Sequence, residues 1–199
     1  MTERVRPGPD GRPRCPWALT GADPRYLAYH DEEWGAPVRG DDALFERITL
    51  EAFQAGLSWR VILHRRDAFR RAFDGFAIAA VAAYGEAEVA RLLADPGIVR
   101  NRAKVLAAVA NAQAAAALGP GGLDRLVWSF APPPGRPAPE HPADVPATTA
   151  ESAALSAALR TAGFRFVGPT TAYALMQACG LVDDHLAACV VRPSPAPVR

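Results

Sequence analysis

An all-α fold is what this 199-residue sequence predicts. Two observations carry that expectation. Apolar residues recur at three- and four-residue spacing almost throughout, and no alternating β-branched run is long enough for a strand. Helix caps and stops also punctuate the chain at intervals that suit short helices. Residues 15–189 read as a single helical domain. A polar Pro/Gly/Arg-rich segment at 1–14 reads as a flexible arm, and residues 190–199 read as a flexible tail.

Asp23 before Pro24 is an N-cap and first-turn signal for a helix ending near Gly35. Asp41 or Asp42 caps the next helix, "ALFERITLEAFQAG", and "WRVILHRRDAFRRAF" follows it. "AIAAVAAYG" and "EAEVARLLA" are short helices stopped by the turn "DPG". "NRAKVLAAVANAQAAAALG" is a long helix with Gly119 just past its end. "LDRLVWSF" is another short one. Seven prolines in 131–147 make that stretch a surface loop. Thr148 with Glu151 forms a capping box for "ESAALSAALRTAG". "FRFVGPTTAYALMQACG" is a hairpin opening into a helix that ends at Gly180.

Composition bounds the function. Hydrophobic residues make up 50% of the chain, which excludes a disordered tail. The formal net charge is +1, so nucleic-acid contact needs a local patch. There is no long apolar run and no apolar leader near the start, which points to a cytoplasmic protein without membrane contact. Three cysteines in such a chain do not suggest a disulfide framework. Nothing suggests a nucleotide cofactor or an oligomer, and a monomer is expected.

Glu51 is the first candidate. It falls on the stripe of Leu44, Ile48 and Ala55, where a leucine would be expected. A carboxylate there needs a partner or a shifted pKa. It could face a lined cavity, lie at the stripe's edge, or pair with Arg47. Tyr26, Tyr29 and His30 share one helix face close by, with Trp17 before them and Trp59 after the Glu51 helix. Such aromatics are ordinarily core. Around a buried carboxylate they would also form a slot for a flat, electron-poor ring.

His185 and Cys189 are four apart, so on a helix both would point at one ion. A structural site needs four ligands, and Cys15 and His30 are the obvious remaining donors. Spacing alone leaves open a core histidine and an inert thiol. If all four bind, the ion closes nearly the whole chain. By analogy with a disulfide across a long loop, that contributes about 4–5 kcal/mol. Cys179 reads as a small buried hydrophobe.

"FVGPTTAY" is a tight turn opening into a helix. Gly168 permits close approach of the backbone, and Pro169 fits a first helical turn. Free N–H groups there would cradle a phosphate. An ordinary αα-corner is the alternative. The basic residues Arg60, Arg65, Arg66, Arg70 and Arg71, and Arg100, Arg102 and Lys104, add modest support for contact with DNA.

Taken together, "RCPW", "YLAYHDEEWG", "LFERITLEAFQAGLSW", "GIVRNRAKV", "VWSF" and "GFRFVGPTTAYALMQACGLVDDH", with Cys189, resemble the bacterial 3-methyladenine DNA glycosylase I family. The match is collinear from Cys15 to Cys189. The resemblance implies a two-lobed helix-hairpin-helix glycosylase fold with a zinc site joining the chain ends. It implies one structural Zn2+ on Cys15, His30, His185 and Cys189, base recognition by Glu51, and a base pocket of Trp17, Tyr26, Tyr29 and Trp59. Contact with double-stranded DNA carrying an alkylated base falls to Leu57, Arg165, Gly168, Thr170 and Thr171. Many glycosylases of this superfamily have an aspartate after the hairpin helix, where this family often has Asn and this chain has Asp183. Asp183 could assist catalysis, cap a helix before His185, or do neither; the cap is favoured here. The implied reaction is monofunctional hydrolysis releasing 3-methyladenine and leaving an abasic site. A zinc-stabilised DNA-binding module and a glycosylase for another lesion are the alternatives.

Overall fold

A computed structural model describes residues 4–192. Helices α1 (Pro24–Glu32), α2 (Asp41–Gln54), α3 (Trp59–Ala72), α4 (Ile78–Ala82) and α5 (Glu86–Ala94) lead to the long α6 (Arg102–Ala117). They are followed by α7 (Gly122–Trp128), α8 (Ala150–Thr161) and α9 (Pro169–Ala178). Among the described residues, no helix is long and apolar enough to cross a membrane.

Several ends follow the expected local chemistry. Asp23 caps α1 by accepting from the backbone N–H groups of Arg25 and Tyr26, and Pro24 fills the first turn. The structure moves two other caps. Gly40, not an aspartate, precedes α2. Asp41 instead accepts from the N–H groups of Gly121 and Asp124 at the start of α7, and Asp42 accepts from Ile78 N–H at the start of α4. Thr149 and Ser152 form the reciprocal cap of α8, one residue beyond the expected Thr148 and Glu151. A residue downstream, the same exchange is available to a second Thr-x-x-polar pair.

α2 is the hub of the fold. It packs against α3, α6, α7 and α9, and α8 packs on α9. Leu44 and Ile48 are fully buried in this core with Phe45 and Phe53 on flanking faces, whereas Ala55, placed on the same stripe by the sequence, is exposed just past the helix end. Burial of these aliphatic and aromatic side chains, at about 1.5–3 kcal/mol each, stabilises the scaffold around Glu51.

The N-terminal segment is not a loose arm over its described length. Arg6–Pro7 pairs antiparallel with Pro13–Arg14. The buried Arg14 guanidinium reaches Asp10 in the turn and Asp31 on α1. Long-range ion pairing therefore orders a segment whose composition favours disorder. The C-terminal stretch departs from expectation as well. Residues 181–192 form turns, not a helix, and Val190 N–H donates to the Pro13 carbonyl. Residues 193–199 of the expected tail lie outside the described residues. Cys15, Leu186 and Cys189 make a small buried cluster of their own where the two ends meet.

Candidate active site

α2 delivers Glu51 to a cavity of about 340 Å³. Its walls include Trp17, Tyr26 and Tyr29 from the N-terminal third and Trp59 at the start of α3. The rings meet edge-on or tilted: Trp17 and Tyr26 centroids are 5.1 Å apart, and Tyr29 and Trp59 are 5.2 Å apart. The sequence-predicted pocket residues thus come together around one carboxylate. Trp34, Gln54, Gln177 and Asp184 also line the cavity, as do Pro142 and Val145 of the proline-rich loop. These were not singled out from sequence. Trp34 stood within "HDEEWG", and Tyr173 and Gln177 are an i, i+4 pair with polar ends in the apolar stretch after Thr171, which was the available signal.

Glu51 is only 6% exposed, and its carboxylate makes no hydrogen bond or ion pair among the described residues. Arg47, the partner suggested by spacing, pairs with Glu33 at 3.1 Å instead. Burial therefore dominates and pushes the Glu51 carboxyl up to about 8, with the nearby charge of Arg47 opposing it. Burial favours the neutral acid, and a cation beside it would draw out the anion. Burial, with the Glu51 charge second, likewise holds the Tyr29 phenol well above its usual range.

Beside the cavity, Cys15, His30 and Cys189 offer ligand atoms all within 4.8 Å of one another. His30 Nδ1 is 2.7 Å from Asp31 Oδ1, and its Nε2 is 3.6 Å from Cys189 Sγ. A carboxylate on one ring nitrogen, with the other free for an ion, is the usual support of a metal-ligating histidine. Hydrogen bonds from Cys15 and His30 hold the Cys189 thiol well below its usual range, while sharing that proton and burial push Cys15 up. The set can hold a metal ion. His185 stands against His30, ring centroids 4.8 Å apart, but its Nε2 faces the His30 carbonyl oxygen at 3.3 Å and lies outside the group of three. Its Nδ1 is 2.7 Å from Asp183 Oδ1. Asp183 therefore caps no helix. It orients His185, while the neighbouring Asp184 turns to the cavity.

A second carbon on Gly180 (φ +71) would lie 2.6 Å from Ala36 C, so only glycine lets the turn after α9 close on the turn after α1. That contact brings residues 183–189 to His30.

The residues predicted to meet DNA lie outside the cavity wall. Leu57 is 44% exposed in the turn after α2, beyond Gly56 (φ +82). Arg165 and Thr170 are exposed, and Thr171 is half-buried. Gly168 precedes α9 with no side chain capping the helix, which leaves first-turn N–H groups facing outward. The tip is held in place because Ser156 Oγ donates to Val167 O, while Phe166 takes a positive φ of 57°. Much of the α3 arginine cluster is already engaged: Arg66 clamps Glu33, Arg70 meets Glu46, and Arg65 donates to the Pro96 and Ile98 carbonyls.

Comparison with known proteins agrees with this arrangement. The sequence model of the methyladenine glycosylase family matches residues 17–192. DNA-3-methyladenine glycosylase 1 of Escherichia coli (strain K12) is 43% identical over 187 residues, covering 92% of this chain and 99% of that protein. A crystal structure of 3-methyladenine DNA glycosylase I superposes with a TM-score of 0.85 at 43% identity, covering 90% of this chain and 100% of the other. The 3-methyladenine DNA glycosylase I of Staphylococcus aureus, described for its recognition of 3-methyladenine, superposes with a TM-score of 0.82 at 35% identity, covering 90% and 97%. The chain belongs to the methyladenine glycosylase family, whose enzymes hydrolyse N-glycosyl bonds.

Proposed function

We propose that the protein excises 3-methyladenine from alkylated double-stranded DNA, releasing the free base and leaving an abasic site without cutting the strand. One observation carries the reading: a buried, unpaired carboxylate, Glu51, faces a cavity walled by aromatic rings. Relatives covering nearly the whole chain are named DNA-3-methyladenine glycosylases, which supports the base and the bond but not the absence of strand cutting.

N3-methylation places a positive charge on the adenine. The rings attract the cationic purine, and the Glu51 anion, costly in the empty cavity, becomes favourable opposite it. A neutral adenine offers no such compensation. The target must first leave the stack, at a cost of a few kcal/mol. Leu57 fills the vacated space, and the N–H groups after Gly168 hold a phosphate in the manner of a helix-hairpin-helix. Arg165, Thr170 and Thr171 flank that grip. Water then adds its oxygen to C1′ as the C1′–N9 pair leaves with the base, which departs neutral, and a proton passes to solvent. No general acid is required. The chain's sole lysine, Lys104, donates to the Phe53 and Ala55 carbonyls, which favours hydrolysis without a lyase step.

Cys15, His30, His185 and Cys189 would hold a zinc ion once His185 Nε2 turns from the His30 carbonyl to complete the set. With four protein ligands, such an ion ties the chain ends together and takes no part in chemistry.

Incubation with methylated duplex DNA, followed by chromatography of released bases and a strand-cleavage gel, tests the reading. Release of 3-methyladenine with intact strands is expected. Release of a different base, or of none, overturns it.

A further inference from the structure

Asp184 is buried in the cavity wall, where two hydrogen bonds from α9 and an ion pair from the proline-rich loop hold its carboxylate. Tyr173 Oη donates to Oδ2 at 2.6 Å, and Gln177 Nε2 donates to the same oxygen at 2.9 Å. Arg136, in the proline-rich loop, brings Nη1 to 3.1 Å from Oδ1 and 3.0 Å from the Tyr173 hydroxyl. The Ala187 N–H bond to the Pro139 carbonyl fastens the same loop to the segment that carries Asp184.

This arrangement decides what Gln177 can offer. A carboxylate with these donors around it accepts hydrogen bonds only, so the amino end of the Gln177 amide must face Asp184. The carbonyl end is left, and it takes no donor among the described residues. Gly35 N–H donates to the Gln177 backbone carbonyl at 3.0 Å, so the helix turn bearing this side chain is also fixed. Gln177 lines the same cavity as Glu51. The Glu51 carboxyl and the Gln177 amide oxygen thus both line the cavity, and neither takes a hydrogen bond from the described residues.

We propose that Gln177 is a specificity-determining residue whose carbonyl oxygen accepts one N–H of the exocyclic amine of a 6-aminopurine, with Asp184 as the positioning residue that fixes its orientation. The proposal rests on the base-excision reading above. A 6-amino group has two N–H bonds, one for Glu51 and one for Gln177. A 6-oxopurine would set its oxygen against the Gln177 oxygen, and a buried pair of facing acceptors is disfavoured. Arg136 and Tyr173 keep Asp184 from turning away, so the amide cannot flip to welcome the oxo base.

The test compares dissociation constants of the zinc-loaded protein for free 3-methyladenine and free 3-methylhypoxanthine, in wild type and Gln177→Leu. Wild type should prefer 3-methyladenine. The variant should lose about tenfold in affinity for it while 3-methylhypoxanthine changes less than twofold. An unchanged preference overturns the proposal, whether both affinities fall together, as a merely structural role requires, or neither falls. If Gln177→Leu does not fold, Gln177→Met, unbranched and closer in shape, gives the same comparison. Failure of the underlying reading looks different, because wild type would then release no 3-methyladenine from methylated DNA.

Discussion

Lys104 and Asn111 stand seven residues apart on one face of α6, and each fixes a different exposed loop. Lys104 Nζ donates to the Phe53 and Ala55 carbonyls at 2.8 and 2.6 Å, closing the end of α2 just before Leu57. The Asn111 amide accepts from Arg165 N–H at 2.7 Å and donates to the Arg165 carbonyl at 3.1 Å. One helix thus sets the spacing between the turn that bears Leu57 and the turn between α8 and α9.

Lys104→Met should leave two carbonyls at a helix end without their donor and remove a favourable cation there, costing about 1–3 kcal/mol. Excision from duplex DNA should fall about tenfold while affinity for free 3-methyladenine holds. Single-turnover kinetics set against base binding check this; an equal loss in both would place the effect in the pocket instead.

Glu51→Gln should cut excision of 3-methyladenine about 100-fold, the scale of a charge-assisted hydrogen bond. In wild type, kcat/KM should rise with pH through about 8 as the carboxylate forms, and the variant should lose that limb. Stability runs the other way. The folded-state value lies above the unfolded one, so the contribution is whole below about 4.5 and is lost as pH rises through about 8. The wild-type melting temperature should therefore decline between pH 5 and 9, by the equivalent of a few kcal/mol at the alkaline end, while Glu51→Gln stays level. Parallel melting curves for the two proteins would contradict the burial argument.

Trp59→Leu keeps much of the apolar bulk but removes the ring that faces Tyr29 at 5.2 Å. Stacking on a base contributes about 1–3 kcal/mol, so affinity for free 3-methyladenine should drop about tenfold or more. Discrimination against unmodified adenine should narrow with it. Titration of both bases by fluorescence or calorimetry decides the matter.

Removal of metal by a chelator, or Cys15→Ser, should lower the melting temperature by at least 10 °C, and zinc should restore the chelated protein. Elemental analysis should return one zinc per chain. A full-length protein that melts unchanged without metal would leave Cys15, His30 and Cys189 as a buried thiol–imidazole cluster and nothing more.

Glu51 could be singled out from sequence because a charge on an apolar stripe violates a local periodicity, and periodicity is written in neighbouring residues. The aromatic partners were legible for the same reason. Asp183 and Asp184 were not separable that way. Adjacent acids in a turn look alike until long-range partners choose between them: His185 takes one, while Tyr173, Gln177 and Arg136 take the other. The hairpin at residues 6–14 was hidden likewise, since Arg14 is held by Asp31 on α1 as well as by Asp10 in its own turn.

By itself, then, the sequence determined the helical class, most helix positions, a carboxylate on an apolar stripe near several aromatics, and the pairing of His185 with Cys189 at a spacing of four. Those depend on spacing and on side-chain chemistry within a few residues. Tertiary structure alone decided that the segment bearing His185 and Cys189 is a turn, that Cys15, His30 and Cys189 meet, that the proline-rich loop forms a cavity wall, and that the Gln177 amide oxygen takes no donor among the described residues. Each of these depends on contacts between separate elements, such as Arg136 with Asp184 and Val190 with Pro13, whose geometry no local pattern encodes.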